Sequence, residues 1–225
     1  MTDVAVIRPG CTDFDAAPAA VDRRLVGRLD LPPNERGAEQ NAELVDLVRG
    51  LHLTFLLCGE GGAGEECAAD LADRLNLSVK VRGDLCNVDQ GLWEGLTVDD
   101  VNRRYPKLAK AWHDAPETVC PPQGESVGEA LARVRAALAK PLKKGRAFGV
   151  VAADPLASLV ETIVTGEAPD FDGPLGAPRS CGSVVVCSTE GRVREERGVS
   201  GLSSADLATV SDEDAVAADD AAGAG

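Results

Sequence analysis

The chain has 225 residues, enough for one domain of ordinary size with a tail. Hydrophobic residues make up 44% and aromatic residues only 3%, so a core must be built from Val, Leu and Ala. A net charge of −14 argues against nucleic acid and anionic membrane surfaces as partners, because both would repel it.

The sequence shows no basic, apolar leader and no apolar run long enough to span a bilayer, which predicts a cytoplasmic protein. Seven cysteines (Cys11, Cys58, Cys67, Cys86, Cys120, Cys181 and Cys187) include no Cys-x-x-Cys pair. No metal site is signalled and no cofactor is expected. Most of the cysteines read as small core residues in a reducing compartment.

Val4 to Ile7 reads as a buried strand that delivers Arg8 to its C-terminal edge, where open α/β sheets place ligands. Residues 13–33 are loop-like. The apolar spacing predicts a helix over 35–49 and a second buried strand over 51–58. A glycine loop, Gly59 to Gly64, opens a helix with Cys67, Ala68, Leu71 and Leu75 on one face. Ser78 to Val81 is a third strand. Thr97 with Asp100, and Ser126 with Glu129, have the spacing of capping boxes at helix starts. Ala147 to Ala152 is a strand, and Asp154-Pro155 has the form of an N-cap followed by a first-turn proline. Ser183 to Cys187 reads as the last core strand, with a turn near Glu190-Gly191 and a more exposed strand beyond. The domain is expected over 1–210, and an acidic disordered tail over 211–225. Alternating strands and helices predict a three-layer α/β/α sandwich with a mainly parallel central sheet.

Four stretches carry a family resemblance. They are Arg8-Pro9-Gly10-Cys11-Thr12, Gly27-Arg28-Leu29-Asp30-Leu31-Pro32, the run from Leu85 through Trp93-Glu94-Gly95 to Thr97, and Pro121-Pro122-Gln123-Gly124-Glu125-Ser126. Taken in order, they resemble the histidine phosphatase (phosphoglycerate mutase-like) superfamily. The resemblance implies the same sandwich fold. It also implies a pocket in which a histidine is phosphorylated, arginines and a second histidine hold the phosphate, and a carboxylic acid protonates the leaving group.

The residues at those positions are unusual. The nucleophile's position is Pro9, the second arginine's is Ala63, the acid's is Asn87 and the second histidine's is Ala153. Only the first arginine, Arg8, is kept. His52 and His113 lie on other segments. The residual anion-binding candidates are Arg8 and Arg28, though Arg8 could instead pair with a carboxylate such as Asp30 or Asp154. Cys11, Cys58, Cys86 and Asp154 are further pocket candidates, with small-residue packing the simpler reading of the thiols and an N-cap the simpler reading of Asp154.

The pattern predicts a non-catalytic pseudoenzyme that binds a protein partner or a small ligand. The same resemblance implies a homodimer as one assembly. Two alternatives stand beside it. One is a phosphatase or phosphoglycerate mutase-like enzyme acting on phosphate esters with unorthodox residues. The other is a nucleotide-binding module, because Gly59, Gly61 and Gly64 fit the dinucleotide spacing.

Overall fold

The computed structural model describes residues 2–15, 24–114, 119–167, 181–190 and 192–199. A six-stranded sheet has the order β3-β2-β4-β1-β5-β6. Its strands are β1 (Asp3–Arg8), β2 (Phe55–Cys58), β3 (Ser78–Val81), β4 (Phe148–Val151), β5 (Ser183–Ser188) and β6 (Arg192–Gly198). The first four are mutually parallel, and β5 and β6 add antiparallel to the β1 edge. The sheet is therefore mixed, with a parallel half that carries the site.

β1 lies between β4 and β5, and its side chains alternate between two apolar layers. Val4 and Val6 face α5 (Val127–Lys143) and α6 (Leu156–Thr165), packing on Val134, Leu138, Val160 and Val164. Ala5 and Ile7 face α1 (Glu35–Arg49) and α2 (Gly62–Leu75), packing on Leu44, Val48, Cys67 and Leu71. This is the α/β/α sandwich read from the sequence. A third cluster lies beside it, around α3 (Val98–Arg104) and α4 (Pro106–Asp114), with buried Trp93 and Trp112 as packing residues. No helix among the described residues is long and apolar enough to cross a membrane.

Both predicted capping boxes form. Thr97 and Asp100 close one at α3, and Ser126 and Glu129 close the other at α5. The second strand is shorter than the apolar run suggested. His52 has φ +50, which breaks the extended chain, so β2 begins only at Phe55. The helix after the glycine loop starts inside it, at Gly62. The expected tail over 211–225 lies outside the described residues.

The turn after β1 is clamped onto α1. The Gly10 amide donates to Asn41 Oδ1 at 2.8 Å and the Cys11 amide to Gln40 Oε1 at 2.9 Å. Asn34, the N-cap of α1, donates its own amide to the Cys11 carbonyl at 2.9 Å. The approach depends on two glycines. A Cβ on Gly10 would lie 2.0 Å from the Gly37 carbonyl oxygen, and one on Gly37 would lie 2.0 Å from the Cys11 carbonyl oxygen. Backbone cannot yield as a flexible side chain can. Gly37→Ala should therefore lower unfolding free energy by about 2–3 kcal/mol in a urea titration, at the upper end of overpacking costs.

Candidate active site

The carboxyl ends of β1, β2 and β4 open into a cavity of about 330 Å³. Its lining includes Arg8, Arg28, Asp30, Cys86, Asp154 and Cys181. Pro9, Ala63, Asn87 and Ala153 line the same cavity, so the fold brings together all four positions at which the resemblance implies catalytic side chains. His52 is not among the lining residues; it stands in the loop before β2, at the opposite end of that strand.

Arg8 is 2% exposed and spoken for. Its Nε donates to Asp154 Oδ2 at 2.8 Å and its Nη2 to Asp154 Oδ1 at 3.1 Å. Its Nη1 donates to Glu161 Oε1 at 2.7 Å. Ser158 Oγ accepts from Nη2 at 3.4 Å and donates to Asp154 Oδ1 at 2.9 Å. Burial opposes the guanidinium charge, but Asp154 and Glu161 together more than restore it, and the pKa ends above its ordinary value. Of the two carboxylates named as alternatives to an anion, Asp154 is the partner. Asp154 also accepts from the Ser158 amide at 3.2 Å, so it serves the first turn of α6 although Pro155 holds the N-cap position. Ser158 and Glu161 were missed in the sequence. The only signal was their spacing on α6, which places them with Asp154 on one helical face.

Arg28 is tied down differently. Its Nε donates to the Asn87 carbonyl at 3.1 Å, and it pairs with Glu125 at 3.2 Å and Asp89 at 3.4 Å. Arg133 of α5 completes this cluster. It donates to both Glu125 oxygens and to the carbonyls of Asp84, Cys86 and Asn87. One long side chain thus rivets the loop that carries Cys86 and Asn87. Asn87 in turn donates to the Asp154 carbonyl at 3.0 Å, and its Oδ1 accepts from the Leu156 amide at 3.2 Å. Asn87 therefore helps to cap α6.

The glycine loop is closed to a pyrophosphate. Asp30 accepts from the Gly62 amide, Glu65 accepts from the Gly61 amide at 2.6 Å, and the Leu31 carbonyl accepts from the Ala63 amide at 2.8 Å. A carboxylate of the chain itself thus occupies the anion position of the α2 N-terminus.

The thiols separate. Cys58 is fully buried and does not line the cavity; burial first, then Glu65 and Cys86, push its thiol up to about 11. Cys86 lines the cavity, with Sγ 4.0 Å from the Glu60 carbonyl. Cys11 lies outside the lining, and its pKa is lowered, first by the Cys181 thiol, against burial and Asp15. Among the described residues no group of three or more His, Cys, Asp or Glu side chains could hold a metal ion.

Residues 4–192 match the model of the histidine phosphatase superfamily, branch 1. The chain belongs to that superfamily. A probable phosphoglycerate mutase from Erwinia tasmaniensis is 30% identical over 138 residues, covering 61% of this chain and 62% of that one. Phosphoserine phosphatase 1 from Hydrogenobacter thermophilus is 28% identical over 121 residues, covering 54% and 57%. The matched region thus spans under two thirds of either relative. A solved structure of mycobacterial glucosyl-3-phosphoglycerate phosphatase superposes with a TM-score of 0.69 at 22% identity, covering 82% of this chain and 88% of that one. These relatives are named as enzymes of phosphate-ester chemistry. They overturn the expectation of a non-catalytic binding or scaffold protein, and the phosphate-ester alternative is the better account. Absence of the imidazole at Pro9 rules out a phosphohistidine, but it does not rule out every route to a phosphate ester.

Two predictions follow from the ion pairs. Arg8→Ala would leave Asp154 and Glu161 buried without their cation and should cost about 3–5 kcal/mol of stability in chemical denaturation. Glu125 is the pH-sensitive partner. Burial pushes its pKa up, but the bonds to Arg133 and the Asp89 amide outweigh burial and leave it below the ordinary value. A lowered folded-state pKa gives stability that is present above the unfolded value and lost as pH falls through the folded one. The melting temperature should therefore drop on acidification below the ordinary glutamate range, and Glu125→Gln should flatten that drop.

Proposed function

We propose that the chain is an enzyme acting on phosphate monoesters in this cavity, with Asp154 in the role of general base. Family membership and the activities named for the relatives support the substrate class. Asp154 itself supports the role: it is the carboxylate held by Arg8 on the cavity lining, directly after Ala153. A carboxylate can take the proton of a water whose oxygen attacks phosphorus in line. The P–O bond to the leaving alcohol breaks, and that oxygen takes a proton from solvent. No phosphohistidine forms on this route, which agrees with Pro9.

Charge sets the working range. Arg8 contributes +1 while its partners Asp154 and Glu161 contribute −1 each, so this cluster offers a dianion no net positive charge. A phosphomonoester is close to dianionic at neutral pH, with a second pKa of about 6. Repulsion is therefore relieved on the acid side. A cytoplasmic location goes with this reading, because thiols at the cavity stay free in a reducing compartment.

The test is turnover of an aryl phosphate by the purified chain between about pH 4 and 9. Higher turnover near pH 5 than near pH 8 is expected, on the order of 100-fold lower in Asp154→Asn, which keeps the size of the side chain and removes the base. Absence of turnover throughout, or full activity in Asp154→Asn, would overturn the proposal.

A further inference from the structure

The far end of α5 carries a charge opposite to that of the chain as a whole. Residues 130–153 hold six Arg or Lys and no Asp or Glu, in a sequence whose net charge is −14. Arg133 is spent on the cavity loop. The other five, Arg135, Lys140, Lys143, Lys144 and Arg146, are exposed, and none of these side chains is ion-paired among the described residues. Elsewhere Arg49, Arg74, Arg82 and Arg103 each pair with an acid close by in the sequence. The helix dipole accounts for part of the cluster, since Lys140 and Lys143 sit in the last turn of α5. It does not account for Arg146, beyond the helix, or for Arg135, well before the last turn. A cationic face without a counter-charge attracts an acidic segment.

The chain itself supplies one. Residues 200–225 hold six Asp or Glu and no Arg or Lys, and five of the six lie between Asp212 and Asp220. Where the described chain ends decides whether they reach. The Val199 amide donates to the Gly182 carbonyl at 3.0 Å, beside the start of β5. The end of α5 lies by the other end of β5. There the Thr2 hydroxyl donates to the Leu142 carbonyl at 3.3 Å, and the Thr189 amide donates to the Thr2 carbonyl at 3.3 Å. The separation is the length of β5 and its flanks, roughly 20–25 Å at ~3.3 Å per residue. Residues 200–211 extend at most about 40 Å, so the acids from Asp212 onward fall within range. A tether also holds a segment at a high effective concentration, whereas separate copies of so acidic a chain repel one another.

We propose that the acidic segment Asp212–Asp220 docks on the basic end of α5, where Lys140, Lys143, Lys144 and Arg146 meet its carboxylates. This surface lies at the opposite end of the sheet from the cavity, so the contact is independent of the chemistry proposed there. Exposed ion pairs are individually weak, and the docking therefore rests on several of them at once and fades with salt.

The experiment treats an equal mixture of isotope-labelled and unlabelled full chain with a carbodiimide, which joins carboxyl to amine without a spacer. Trypsin and mass spectrometry then map the links. No Arg or Lys follows Arg197, so the segment is released as one peptide with whatever it has joined. Links to Lys140, Lys143 or Lys144 should exceed links to Lys80, Lys107 and Lys110 by on the order of tenfold, and should vanish in about 1 M NaCl, where the screening length is ~3 Å. They should join peptides of one isotopic label. Arg146→Gln removes a charge but no reactive amine, and should lower the yield. No link from the segment, links spread evenly over all the lysines, or a yield indifferent to salt would overturn the proposal. Links only between differently labelled chains would also overturn it, assigning the surface to a second copy.

Discussion

The site is built around one buried guanidinium. Arg8 ends the central strand with almost no exposure, and an arginine there is tolerable only because two carboxylates and a serine hydroxyl meet its donors. All three partners come from α6 and the residues just before it, so the pairing also sets where α6 sits against β1. The strand edge, the start of α6 and the cavity floor are therefore one electrostatic unit. A change in any member is felt by the other two.

Around that unit the loops are held by polar rivets more than by apolar bulk. Arg133 collects the carbonyls of Asp84, Cys86 and Asn87 together with Glu125, Arg28 reaches the same glutamate, and Asn87 bonds to both ends of the Asp154–Leu156 step. A low aromatic content leaves few large side chains to wedge loops in place. Hydrogen bonds to backbone carbonyls do that work, and they fix the cavity walls without filling the cavity.

The charge pattern gives the cavity a chemistry unlike the one the resemblance implies. Four positions where that pattern needs imidazole, guanidinium or carboxyl are occupied by Pro9, Ala63, Asn87 and Ala153. The cationic donor that remains is balanced by the chain's own acids, and Asp30 and Glu65 take the Gly62 and Gly61 amides at the α2 N-terminus. On the proposed reading, Asp154 would activate water in place of covalent phosphoryl transfer, with Arg8 fixing its orientation.

The sequence by itself determined the sandwich, both capping boxes, the family and the positions that converge on the cavity. These follow from local rules: period-two and period-3.6 apolar spacing, Ser or Thr with an acid three residues on, and motifs whose order along the chain is itself informative. It could not determine which acid would meet Arg8, because Asp30 and Asp154 both stand near strand ends and the choice depends on how α2 and α6 pack. Nor could it show Glu161, Ser158 or Arg133 at the site, since each is an ordinary polar residue on a helix until the sheet register aims it inward. Tertiary structure decided every contact between distant charges, because those depend on distances that only the assembled sheet defines.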